Sequence, residues 1–180
     1  MKKKTALLPS LLLGLSLGAI AQEAPKAGPE YALLTQDVGV WDANVEYWPT
    51  PGAPPSVSKG VSSVSMLGGF WQIDEFKSEF MGAPFEGRGQ TGWDAAKQAY
   101  VGIWVDSMSP GLNLSDSTYD AKTRTMSGWS EGPGPDGKPV KSRGVTEWKD
   151  ADTRVFSMYA PAAAGAKDWL NMRITYKRRK

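Results

Sequence analysis

The chain has no histidine and no cysteine among its 180 residues. These absences exclude a Ser-His-Asp or Cys-His nucleophile, a thiolate redox centre, a Cys/His zinc site and a histidine-ligated haem. The chemistry that remains is that of carboxylates, amines, guanidinium groups, phenols and hydroxyls. The sequence therefore predicts no metal and no cofactor, and it assigns no catalytic residue.

Long apolar runs are also scarce, and the one that occurs lies at the start of the chain. Residues 7–20 follow three lysines at 2–4, and they are short for a membrane span of about 20 apolar residues. Ala19-Ile20-Ala21 fits the small-x-small rule for signal-peptide cleavage. The pattern predicts a signal peptide over 1–21, cleavage near Ala21/Gln22, and an exported protein, periplasmic or extracellular, without a transmembrane segment.

The charge balance excludes one class of partner. Removing three of the 21 basic residues with the signal peptide leaves 18 basic against 19 acidic side chains. No basic patch typical of nucleic-acid binding remains, and the basic stretch 177–180 is typical of a solvated terminus. The eight Trp residues point instead to apolar surfaces, so the expected partner is a small apolar or amphipathic molecule. The oligomeric state stays open.

The segments after residue 21 indicate one domain. Residues 22–29 read as a flexible leader, and residues 30–180 as a single domain. Pro29 can start a short helix over Glu30–Val38, with Gly39 as its stop.

Beyond Gly39 the sequence alternates short runs rich in Val, Thr, Ser and aromatic residues with turn residues. Such runs separated by short turns are typical of antiparallel strands. We predict an all-β fold, an antiparallel up-and-down barrel of about ten strands with one short N-terminal helix, because closure removes sheet edges. The ten runs are Val40–Trp48, Val57–Met66, Phe70–Met81, Phe85–Trp93, Tyr100–Ser107, Leu112–Tyr119, Thr125–Glu131, Val140–Trp148, Arg154–Tyr159 and Asp168–Tyr176.

Two local patterns are interpreted as structural. Asp94, Asp120 and Asp150 each follow an aromatic strand end, where an Asp side chain can accept a backbone N–H inside a turn. Gly39-Val40-Trp41 resembles the G-x-W fingerprint of lipocalins and related calycin barrels, and this resemblance implies that the predicted barrel is calycin- or lipocalin-like. That resemblance implies that Gly39 and Trp41 close one end of the barrel, with Arg178 lying across the Trp ring.

The central sequence carries three longer motifs. They are a G-G-x-W step within Leu67–Trp71, a P-F-x-G-x-G-x-x-G-aromatic-D segment within Met81–Asp94, and Y-x-x-x-W-x-D-S-M over Tyr100–Met108. Together they resemble the bacterial family catalogued as domain of unknown function 1579, from about Leu33 to Arg178. The resemblance implies a lipocalin-like fold in a wider superfamily whose members bind fatty acids, retinoids, haem or other apolar molecules.

Five residues on three neighbouring predicted strands form the candidate ligand site. Glu75, Arg88 and Asp106 would form a charged cluster in the lumen if their registers agree. Trp71 and Trp104 would lie beside it as aromatic walls. The alternatives are a satisfied salt-bridge network or outward-facing charges, because strand register decides which way each side chain points.

Three functions fit these residues. The first is a barrel that binds a small, mainly apolar ligand. The second is a metal-free lyase or cyclase that uses Tyr100, Asp106 and Arg88, with a buried carboxylate as base. The third is a structural envelope protein whose barrel interior is filled by side chains.

Overall fold

The computed structural model describes residues 26–134, 136–162 and 167–180. The predicted signal peptide lies outside these residues, as does the first half of the predicted leader. Helix α1 (Glu30–Thr35) comes first, and ten strands follow it. The strands are β1 (Gly39–Tyr47), β2 (Ser56–Leu67), β3 (Trp71–Phe80), β4 (Ala83–Asp94), β5 (Ala99–Asp106), β6 (Ser109–Asp120), β7 (Thr125–Pro133), β8 (Pro139–Trp148), β9 (Thr153–Ala160) and β10 (Trp169–Arg178).

The strands form one closed antiparallel barrel. Each strand pairs with its neighbours along the chain, and β1 pairs with β10 to complete the ring. Closure pairs both edges of each of these ten described strands with a neighbouring strand. The predicted all-β up-and-down barrel of ten strands with one short N-terminal helix is confirmed, because period-two alternation and regular turns are local properties that the sequence displays directly.

The helix is shorter than predicted. It ends at Thr35 instead of Val38, and the next residues cross one end of the barrel before β1 begins. Asp37 in this crossing is buried, and its carboxylate accepts hydrogen bonds from Trp148 and Arg154. Those tertiary bonds hold the backbone away from a further helical turn. We call this covered end the floor and the opposite end the mouth.

The residues predicted to close the barrel lie together at the floor. The Trp41 ring is almost fully buried, and its Nε1 donates to the Asp37 carbonyl at 2.8 Å. The Arg178 guanidinium lies 4.1 Å from the centre of that ring and donates to the carbonyls of Val38 and Gln36. Gly39 has φ of +134°, and a Cβ there would lie 2.9 Å from Arg178 Nη1.

The turns use the predicted Asp side chains. Asp94 Oδ1 accepts the backbone N–H groups of Ala96 and Lys97 at 2.9 and 3.1 Å. Asp120 and Asp150 each accept the N–H two residues ahead at 2.8 Å. These bonds satisfy backbone donors within the turns, so the structural interpretation of the three carboxylates is confirmed.

Candidate functional site

The barrel encloses a cavity of about 600 Å³ that runs from the mouth toward the floor. A filled interior, one of the three alternatives above, does not fit this volume. One wall of the cavity is apolar and largely aromatic, and the other carries neutral polar side chains. The apolar wall includes Val45, Phe76, Phe80, Phe85, Trp104, Phe156, Met158, Met172 and Ile174. The polar wall includes Thr91, Asn113, Ser115, Ser117, Ser130 and Thr146.

Two of the five predicted site residues face this lumen. Trp104 lies over Gly87 and Gly89 of β4, where a Cβ on Gly87 would come within 2.1 Å of the indole Cζ2. Its Nε1 donates to Asp106 Oδ2 at 3.1 Å, and Asp106 Oδ1 accepts the Met108 N–H at 2.9 Å. The glycines thus make room for an indole that the Asp106 carboxylate orients near the mouth.

The other three predicted site residues lie on the outer surface, which corrects the expected charged cluster. Arg88 Nη1 is 3.3 Å from Glu75 Oε1, but these side chains are 72% and 48% exposed. Trp71 is also exposed and does not line the cavity.

Strand register explains the correction. Arg88 pairs with Val105 across β4 and β5, whereas Asp106 pairs with Gly87. Because successive side chains point to opposite faces, Arg88 and Asp106 must lie on opposite sides of the barrel wall. Arg88 shares its face with Glu75, its direct partner on β3.

The three groups considered for metal-free catalysis do not converge. The Tyr100 hydroxyl donates to the Glu30 carbonyl at 2.9 Å, next to the helix at the floor. Burial, followed by the nearby Glu30 charge, raises the pKa of this phenol above its usual value. Asp106 lies near the mouth and Arg88 lies outside, so no lyase or cyclase centre forms from them.

Sequence reasoning missed a buried charged cluster at the floor. Arg154 on β9 is only 9% exposed, and its Nη1 donates to Asp37 Oδ2 at 2.7 Å. Its guanidinium lies between two aromatic rings, 5.0 Å from the centre of Trp41 and 4.4 Å from that of Tyr176. The second Asp37 oxygen accepts Trp148 Nε1 at 2.8 Å.

Asp74 on β3 adds a second carboxylate to this cluster. Its Oδ1 accepts the Ser62 hydroxyl at 2.7 Å, and its Oδ2 lies 4.0 Å from Arg154 Nη2, beyond hydrogen-bond length. Burial raises the pKa of Asp74, although Ser62 and then Arg154 oppose that rise. Burial likewise raises the pKa of the Tyr176 phenol, which therefore stays neutral.

The alternation of side chains along β3 and β9 could have indicated that Asp74 and Arg154 face the interior. Arg154 is in phase with Phe156 and Met158, and Asp74 is in phase with Phe76. A charged residue in phase with the apolar face of a strand is a candidate for an interior position.

The described residues contain no group of three or more acidic side chains placed to hold a metal ion. None of their helices has the length and apolar character needed to cross a membrane.

Two solved structures share the fold at low sequence identity. The crystal structure of Rv2717c from M. tuberculosis matches with a TM-score of 0.62 and 12% identity, covering 86% of this chain and 100% of that one. The S-type phycobiliprotein lyase CPES from Guillardia theta matches with a TM-score of 0.55 and 10% identity, covering 83% and 92%. No curated protein sequence matches the chain. The family described as protein of unknown function, DUF1579, matches residues 26–178, and the chain belongs to it, as its central motifs predicted.

Proposed function

We propose that the barrel binds one small, mainly apolar molecule in its lumen. The observation that carries the proposal is the two-sided cavity of about 600 Å³. Its volume lies within the range of about 300–1,000 Å³ that is usual for small-molecule sites. An apolar wall would supply most of the binding free energy by burial, and a few polar groups would orient the ligand.

The polar groups differ along the cavity axis. Asp106 near the mouth is already engaged by Trp104 and by a backbone N–H. The wall on β6 and β7 offers hydroxyl and amide groups, which suit a ligand with some polar atoms along one edge. At the floor, Arg154 is the one buried cation among the described residues.

Filling the lumen with a large side chain should weaken ligand binding. Ser130 on β7 lines the cavity, so Ser130→Trp is expected to weaken binding of an apolar fluorophore at least about tenfold by occupying its space. Ser127 on the same strand is exposed and faces outward, so Ser127→Trp is the matched control and should bind normally. The measurement is a fluorescence titration with an anilinonaphthalene sulfonate probe. Equal affinities for the two variants would place the probe outside the lumen and count against the proposal.

We also propose that the protein is exported. The support is the N-terminal pattern of three lysines, an apolar run and Ala19-Ile20-Ala21. Expression of the full chain in a bacterium is expected to yield periplasmic or extracellular protein whose first residue is Gln22. Intact-mass spectrometry of the purified product checks this, and a cytoplasmic product that retains residues 1–21 would contradict it.

A further inference from the structure

The floor of the lumen presents hydrogen-bond donors beside an acceptor. Arg154 Nε and Nη2 are buried and have no hydrogen-bond partner among the described residues. Asp74 Oδ2 lies 4.0 Å from Nη2, and both side chains line the cavity. Buried guanidinium N–H groups are normally paired, so two unpaired donors at the end of a cavity point to a group that a ligand brings.

The charges around these donors limit what that group can be. The Nη1 arm of Arg154 already donates to the Asp37 carboxylate at 2.7 Å. Asp74 contributes a second carboxylate to the same guanidinium. A ligand anion would be a third negative charge beside one positive charge in a region screened from water, which is unfavourable. A neutral group that accepts a hydrogen bond from Arg154 and donates one to Asp74 would pair both side chains without adding charge.

Resting on the proposed lumen binding, we propose that the floor recognises a neutral head group with an acceptor beside a donor, as in a primary amide or a protonated carboxylic acid. The carbonyl oxygen accepts from Arg154, and the N–H or O–H donates to Asp74 Oδ2. The apolar tail of the ligand extends toward the mouth between the aromatic and hydroxyl walls. An ester offers only an acceptor and leaves Asp74 unsatisfied.

The two head groups differ in their pH dependence. Asp74 faces Ser62 of β2, Arg154 of β9, Tyr176 of β10 and Asp37 before β1. An amide needs an ionised Asp74, so its affinity is constant above the pKa of that carboxyl. A carboxylic acid is ionised in neutral solution and must take up one proton, which it shares with Asp74, when it binds. Its affinity therefore falls by up to about tenfold per pH unit above both pKa values.

Calorimetric titration with decanamide, decanoic acid and methyl decanoate at pH 6 and pH 8 tests the proposal. Decanamide should bind at least about tenfold more tightly than the ester at both pH values. The dissociation constant of decanoic acid should rise by about 30- to 100-fold from pH 6 to pH 8. The natural chain alone provides this test, so it does not depend on a variant folding.

Two Asp→Asn variants test whether Asp74 causes the head-group preference and its pH dependence. Asp74→Asn can keep the Ser62 contact and supplies an amide donor in place of a carboxylate. It should remove most of the pH dependence and strengthen decanoic acid binding at pH 8 by about tenfold or more. Asp116→Asn, the matched control, makes the same change at an exposed position of β6 outside the lumen and should leave the head-group preference as it is.

The outcomes separate the two proposals. If the fluorophore binds but the amide, acid and ester bind alike, the head-group proposal is overturned and lumen binding stands. The head-group proposal is also overturned if decanoic acid binds independently of pH in the natural chain, because Arg154 would then bind the ionised carboxylate. If neither the fluorophore nor any decanoyl compound binds, the proposed function itself fails.

Discussion

Arg154→Met is expected to lower the free energy of unfolding by about 3–5 kcal/mol. The substitution keeps a side chain of similar length but removes the cation that pairs with Asp37 at 2.7 Å. Asp37 is buried beneath the floor, so its carboxylate would lose its charge partner without gaining water. The loss also removes the guanidinium from between Trp41 and Tyr176. Chemical denaturation monitored by tryptophan fluorescence gives the value.

Arg88→Met is the matched control, because it makes the same change in an exposed ion pair. The Arg88–Glu75 pair is screened by water, so its loss should cost less than about 1 kcal/mol. Combining Asp37→Asn with Arg154→Met should recover part of the loss, since no unpaired buried charge remains. Equal losses for the two Arg→Met variants would show that burial of Arg154 adds nothing to its effect on stability.

Trp41→Ala is the second change with a large expected effect. We expect it to lower the free energy of unfolding by about 3–5 kcal/mol, because a Trp that is 1% exposed leaves a large cavity when truncated. The indole also lies against the guanidinium groups of Arg154 and Arg178, and its Nε1 donates to the Asp37 carbonyl. The truncation therefore removes packing, cation–π contacts and a buried hydrogen bond together. Thermal and urea unfolding followed by circular dichroism measure the change.

Trp129→Ala serves as the comparison for that result. Trp129 lies on β7, is 42% exposed and contacts Lys141 at the surface. Its truncation should change the stability by about 1 kcal/mol or less. A Trp41→Ala variant that lost no more than Trp129→Ala would contradict the assignment of Trp41 as the closing residue of the floor.

For β4 and β5, the sequence predicted where the strands lie but not which side chains face the lumen. Both strands were located within about two residues, since each is bounded by turn residues and alternates along its length. The side of the barrel on which Arg88 lies was not available from either strand alone. That side depends on the pairing of Arg88 with Val105 across β4 and β5. A register shift of one residue would have paired Arg88 with Asp106 and placed both side chains on the same face.

The sequence by itself determined the number of strands, the Asp turns and the absence of histidine and cysteine chemistry, because these follow from composition and from contacts between residues close in the chain. Only the tertiary structure decided that Asp37, Asp74 and Arg154 meet at the floor. They come from the helix–β1 crossing, β3 and β9, up to 117 residues apart, as in the Arg154–Asp37 bond. Closure of the barrel brings them together, and no local pattern encodes which distant strands meet across a lumen.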